Sequence, residues 1–180
     1  MYPEPKNHCH IIFLHQSWSM KVLTRTGDDG TTSDCSGKRL PKSDFLFDII
    51  GSIYELNSVL GLAGYYTKSD SDSGQITGRI QNQLFVMGSN FSGYEKTCRT
   101  ANDIAEQDKN IDELEGGLAT LNEFILQGGC HTASSLHVAR SVTRRLERRL
   151  TDFFSDKPDL TIIRQYTKRD TVILDIPWQK

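Results

Sequence analysis

The stretch TASSLHVARSVTRRLERRLTDFF (132–154) sets Leu136, Ala139, Val142, Leu146, Leu150 and Phe153 three or four residues apart. That spacing lines one face of an α-helix, so it predicts a helix from Thr132 to about Phe154. Off the apolar stripe lie five arginines within ten residues. Arg140, Arg144 and Arg148 step by four and share one slowly drifting face. Arg145 and Arg149 form a second row, with only Glu147 as local counter-charge. So many guanidiniums repel one another unless an anion is near. A triphosphate meets that demand, because the planar guanidinium grips phosphate oxygens in pairs. A solvated helix face and an ion-paired subunit interface are the alternatives that this stretch leaves open.

Working outward, the same period recurs. Leu46, Ile49, Ile50, Ile53, Leu56, Leu60 and Ala63 predict a helix that starts at Ser43 as N-cap and runs to about Tyr65. KSDSDSG (68–74) reads as a turn. Ile76, Ile80, Leu84, Met87 and Phe91 mark another helix, and Ile104, Ile111, Leu114 and Leu118 a fourth that ends near Gly116–Gly117 or soon after. FILQGG (124–129) breaks the periodicity, and Pro158 closes the loop after the arginine helix. The stretch from 161 to 180, rich in β-branched residues, fits helix or strand. Strand signals elsewhere are thin, which leaves an all-α bundle.

The chain has 180 residues, 24% charged and 37% hydrophobic, with a formal charge of −2. That suits one globular domain and argues against a general nucleic-acid binder. Cys9, Cys35, Cys98 and Cys130 form no CxxC pair and read as free thiols in a reducing compartment. No apolar run approaches the roughly 20 residues of a membrane span. Residues 1–19 hold one basic residue, Lys6, and no Arg, which argues against a mitochondrial transit peptide. Residues 1–20 read as a disordered leader and 21–180 as the domain.

TRTGDDGTTSDCSGKRLPK (24–42) is the second constellation. Gly27 and Gly30 allow left-handed backbone, which lets successive N–H groups face one concavity and cradle an anion. Thr26, Thr31, Thr32 and Ser33 add hydroxyls, and Arg25 and Lys42 add positive charge. The spacing from Gly30 to Gly37-Lys38 is not that of a Walker A loop. A solvated polar turn with Asp28–Asp29 at its tip is the plainer alternative. Phe124 is either core packing before a turn or a wall against a flat ligand. His131 and His137 do not share a helix face, so no metal site is expected.

LTRTGDDGTTS (23–33), GSIYELNSVLG (51–61) and FILQGG…SSLHVARSVTRRLERR (124–149), with RLPK (39–42) after the first block, resemble the PduO-type, or MMAB-type, ATP:cob(I)alamin adenosyltransferases. The resemblance covers about residues 21–150. It implies a homotrimer of ferritin-like, up-down five-helix bundles, with ATP at subunit interfaces and the last helix of this chain uncertain. It implies transfer of the 5′-deoxyadenosyl group of ATP to cob(I)alamin, with Mg²⁺ as cofactor. Thr24, Arg25, Thr26, Gly27, Thr32, Ser33 and Lys42 would hold the nucleotide, joined by Arg144, Arg145, Glu147 and Arg148 from the long helix. Phe124 would displace the lower ligand of cobalamin, and Phe124 and Arg148 would be the catalytic residues. A cobalamin reductase and an adenosylcobalamin-dependent mutase are the implied protein partners, in the cytoplasm or, as in animal relatives, in mitochondria.

The sequence departs from the family pattern at three places. Tyr54 stands where the family has an Asp that pairs with the arginine at Arg140, so Arg140 is expected to turn to another carboxylate or to solvent. Lys168 stands at the Asn of the family's last-helix motif, where Arg169 keeps the Arg. Lys cannot accept a hydrogen bond as Asn does. Gln127 replaces a Pro and loosens the FILQGG turn. An impaired homologue that binds ATP or carries cobalamin is therefore the alternative function. A helical interaction module that binds nucleic acid through its arginines is a third.

Overall fold

A computed structural model describes residues 25–67, 71–94, 101–116, 126–155 and 161–175. Five helices carry the fold: α1 (Phe45–Tyr65), α2 (Asp72–Phe91), α3 (Ala101–Glu115), α4 (His131–Phe153) and α5 (Thr161–Asp175). A two-stranded antiparallel hairpin, β1 (Thr31–Ser33) and β2 (Arg39–Pro41), precedes them.

Chemistry at the ends sets the helix boundaries. Asp44, not Ser43, caps α1; its carboxylate accepts from the Leu46 N–H at 2.9 Å. Ser71 caps α2, so the expected turn at 68–74 stops short and Asp72–Gly74 already belong to a helix. The Cys130 thiol takes the cap of α4, accepting from Ala133 N–H at 3.5 Å. The ambiguous 161–175 segment is helix. Its β-branched threonines return hydroxyls to the backbone four residues back, from Thr167 to Ile163 O at 3.0 Å and from Thr171 to Thr167 O at 3.3 Å.

Contacts show the direction of packing. Along α1, Phe45, Asp48, Glu55 and Tyr66 meet Phe153, Arg149, Arg145 and Thr132 in turn, so α4 runs antiparallel to α1. Gly88 lies against Ile53, Gln81 against Asn57 and Thr77 against Gly64, so α2 is antiparallel too. The Asn57–Gln81 pair locks that register, with the Gln81 amide donating to Asn57 O at 3.1 Å and Oδ1 at 3.0 Å. Gln107 to Asp170 and Asp108 to Arg169 pair α3 with α5.

The core is the set of stripes read from the sequence: Ile49, Ile53, Leu56 and Leu60 of α1, Ile80 and Leu84 of α2, and Leu136, Ala139, Leu146 and Leu150 of α4. Each large side chain there contributes about 1.5–3 kcal/mol. By length and composition alone α1 could cross a bilayer, a possibility the search for apolar runs passed over. Here its apolar stripe fills the middle of the bundle. Phe45, Phe91, Phe153 and Phe154 pack at one end, with ring centroids 5.1–6.2 Å apart along the chain of contacts. The hairpin is fastened at that same end, where Cys35 N–H donates to Ser92 O just past α2 at 2.7 Å.

Candidate active site

The loop from Arg25 to Lys42 is held by its own side chains. The Asp29 carboxylate accepts from the Thr31 N–H at 2.9 Å and the Thr31 hydroxyl at 2.7 Å. Asp34 does the same at the hairpin tip, taking Ser36 N–H, Ser36 Oγ–H and Lys38 N–H at 2.9, 2.6 and 2.9 Å. Both carboxyls are held below the usual carboxylate range, Asp29 chiefly by the Thr31 hydroxyl and Asp34 chiefly by the Ser36 hydroxyl. Lys42 N–H donates to Gly30 O at 2.9 Å and closes the loop at its base.

The left-handed residues are not all those expected. Gly30 takes φ +82°, but the other early member is Arg25, at φ +59°, rather than Gly27. Gly27 is needed for closeness instead. A Cβ there would lie 2.9 Å from Thr31 O and 3.1 Å from Lys42 Nζ. The Lys42 ammonium thus sits beside Gly27, and Thr26, Gly27, Thr32, Ser33 and Lys42 are gathered in one loop. Thr24 lies outside the described residues.

Arg39 escaped the sequence reading. From the start of β2 it reaches back to Thr26 O at 2.6 Å, to the Thr31 hydroxyl, and to Asp29 at 3.3 Å. An Asp two residues ahead of a Thr was the available signal, but only the folded hairpin brings the Arg39 guanidinium back to them.

The two arginine rows of α4 part company. Arg145 pairs with Glu55 and Arg149 with Asp48 at 3.0 Å and with the Ser52 hydroxyl, all on α1. Arg145, expected at the nucleotide, pairs here with Glu55, because α1's acidic residues stand beside that row. Arg144 and Arg148 are exposed. Arg144 pairs along its own helix with Glu147 at 2.9 Å, and Arg148 makes no hydrogen bond or ion pair among the described residues. Arg140 is half-buried, and Tyr54, on α1, is 53% exposed. On α5, Lys168 is exposed, while Arg169 grips Asp108 with two bonds at 2.6 and 2.8 Å. That pairing holds the Asp108 carboxyl below its usual range.

The loop and the FILQGG segment are at opposite ends of the chain's long helices. The loop leads into α1 at Phe45, beside Phe153 at the end of α4. Residues 126–130 lead into the start of α4, where His131 stacks on Tyr66 at 5.0 Å, just past the end of α1. A helix of 23 residues is roughly 35 Å long. Within one copy, residues 126–130 and the nucleotide loop therefore stand at opposite ends of α4. Phe124 itself lies outside the described residues.

Comparison with known proteins agrees with this architecture. The cobalamin adenosyltransferase family profile matches residues 22–169. A cobalamin adenosyltransferase of Cupriavidus metallidurans is 35% identical over 149 residues, 83% of this chain and 81% of that one. The corrinoid adenosyltransferase PduO of Salmonella typhimurium is 31% identical over 156 residues, and the match spans 83% of this chain but only 46% of that longer protein. The mouse corrinoid adenosyltransferase MMAB is 33% identical over 140 residues, 72% of this chain and 59% of that one. Among solved structures, variants of a PduO-type adenosyltransferase from Lactobacillus reuteri share the fold. One, complexed with cobalamin and ATP, has a TM-score of 0.78 at 24% identity, covering 88% of this chain and 92% of that one. Another, complexed with ATP, has a TM-score of 0.72 at 26% identity, covering 87% and 92%.

Proposed function

The chain belongs to the cobalamin adenosyltransferase family, and on that premise we propose that it transfers the 5′-deoxyadenosyl group of ATP to cob(I)alamin. The cobalt–carbon bond forms as the C5′–O bond of ATP breaks, and triphosphate leaves with the bonding electrons. Cob(I)alamin is itself a strong nucleophile, so the protein need not supply one. Its residues are left with binding, alignment and stabilising the leaving charge.

The observation that carries this reading is the preformed loop. Gly27 and Lys42 are adjacent in it, and the Thr26 carbonyl and the Asp29 and Asp34 carboxylates are turned onto internal donors. Thr26, Thr32, Ser33 and Lys42 bind the nucleotide, and Arg144 and Arg148 meet its phosphates. Among the described residues no group of three His, Cys, Asp or Glu could hold a metal ion. Mg²⁺ would enter with the triphosphate as part of the substrate.

The site is shared between copies. About 35 Å of α4 separates the loop from residues 126–130, which supports a site built from two copies, one supplying the loop and its neighbour the wall that Phe124 would form, as in the homotrimer the resemblance implies. Exposed Cys35 and Cys130 thiols fit a reducing compartment such as the cytoplasm.

The test is anaerobic incubation of the purified protein with ATP, Mg²⁺ and chemically reduced cob(I)alamin, with ATP binding measured in parallel. Adenosylcobalamin formation, read by absorbance, is the expected result. ATP binding without product would instead favour a carrier whose chemistry is lost through Tyr54 and Lys168.

A further inference from the structure

We propose that Arg39 is a positioning residue for ATP, aligning the nucleotide loop through Thr26 and Asp29 without touching the substrate. The inference rests on the nucleotide reading of the loop.

Arg39 opens β2 opposite Ser33, and its side chain folds back over the turn at residues 25–30. A single nitrogen, Nη2, faces four acceptors: Thr26 O at 2.6 Å, the Thr31 hydroxyl, and the two Asp29 oxygens at 3.3 and 3.5 Å. That nitrogen carries two hydrogens, so the acceptors compete, and the Thr26 carbonyl accepts at 2.6 Å. Asp29 is already engaged by both donors of Thr31. The node therefore joins the turn, β1 and β2 through one guanidinium.

The planar trans peptide converts this into ligand geometry. Thr26 O and Gly27 N–H lie on opposite sides of one peptide plane. With the carbonyl drawn to Arg39, the Gly27 N–H points away from it. That N–H makes no hydrogen bond among the described residues, and the Lys42 ammonium lies beside Gly27. Arg39 thus presents an amide donor and keeps a carbonyl oxygen, which would repel phosphate, turned inward. Its side chain is 43% exposed and that of Asp29 62%, and pairs so exposed add little to global stability. Loss of Arg39 should therefore show in ligand affinity and leave the melting temperature in place.

The experiment measures ATP dissociation constants and their salt dependence for the full-length wild type, Arg39→Ala, Asp29→Asn and the double variant, with thermal melts alongside. The expected result is affinity about ten-fold weaker for each single variant, the scale of one lost hydrogen-bonding arrangement. The double variant should be no worse, and the salt slope and melting temperatures should be unchanged. Unchanged affinity in Arg39→Ala would overturn the proposal. So would a flattened salt slope with additive effects, because Arg39 would then be a direct phosphate ligand. If the wild type itself fails to bind ATP, the nucleotide reading falls, and this inference falls with it.

Discussion

Arg148 and Arg149 are neighbours in sequence and alike in chemistry, yet the fold uses them differently. Arg149, with Arg145, is turned to α1 and takes its carboxylates at Asp48 and Glu55. Arg148, with Arg144, faces outward, and Arg148 makes no hydrogen bond or ion pair among the described residues. One residue is about 100° of helix rotation, enough to separate an arginine that holds the bundle from one available to a ligand. An arginine-rich helix is thus two functional rows, and the neighbouring helix decides which is which.

Substitutions that strike one row and spare the other should break or sharpen this contrast. Arg148→Ala should have the largest effect. A charged hydrogen bond to a leaving phosphate is worth about 1.5–3 kcal/mol, so kcat/KM for ATP should fall about 10- to 100-fold with an unchanged melt. Wild-type kinetics would remove Arg148 from the site. Tyr54→Asp, which restores the acid that the resemblance pairs with Arg140, should raise kcat/KM several-fold, on the scale of a partly exposed charge pair. A neutral or harmful result would mean the site has re-adapted around Tyr54.

Arg149→Ala should act on the fold instead. Its pair with Asp48 is half-exposed, so the cost is about 1 kcal/mol, a drop in Tm of roughly 2–4 °C, with the ATP KM little altered. A large KM change without a Tm change would reverse the roles assigned to the two rows. The smallest effect concerns pH. Asp29 and Asp34 have folded pKa values below their unfolded ones. Their contribution is present above the unfolded carboxylate value, about 3.9, and is lost only as pH falls through the lower folded values. ATP affinity should therefore show no titration from these groups between pH 7 and 5, measured by calorimetry across that range.

The helices were legible because burial is periodic. The stripes of α1, α2 and α4 are the core residues themselves, and Gly116 ends α3 as its position suggests. Residues whose conformation depends on a distant partner were not. Strands of three residues, made of Thr, Ser, Arg, Leu and Pro, are too short to show alternation, so the hairpin was missed, and with it Arg39. Segment 161–175 reads both ways until Tyr166, Asp170, Ile173 and Leu174 bury together at helical spacing. Gly27 was singled out for left-handed backbone, whereas the structure needs it for the close approach of Lys42 and Thr31. The Arg145–Glu55 pair was equally hidden, since the two are 90 residues apart and only the α1–α4 register joins them.

The claim that most of this rests on is a site assembled from two copies, and complementation tests it directly. Lys42→Ala disables the loop and Phe124→Ala the wall; each variant alone should be nearly inactive in adenosyl transfer. Co-expressed, they should regain activity, because a loop from one copy meets a wall from another and random assembly leaves about a quarter of the sites intact. Mixed oligomers that form but stay as inactive as either parent would contradict the account.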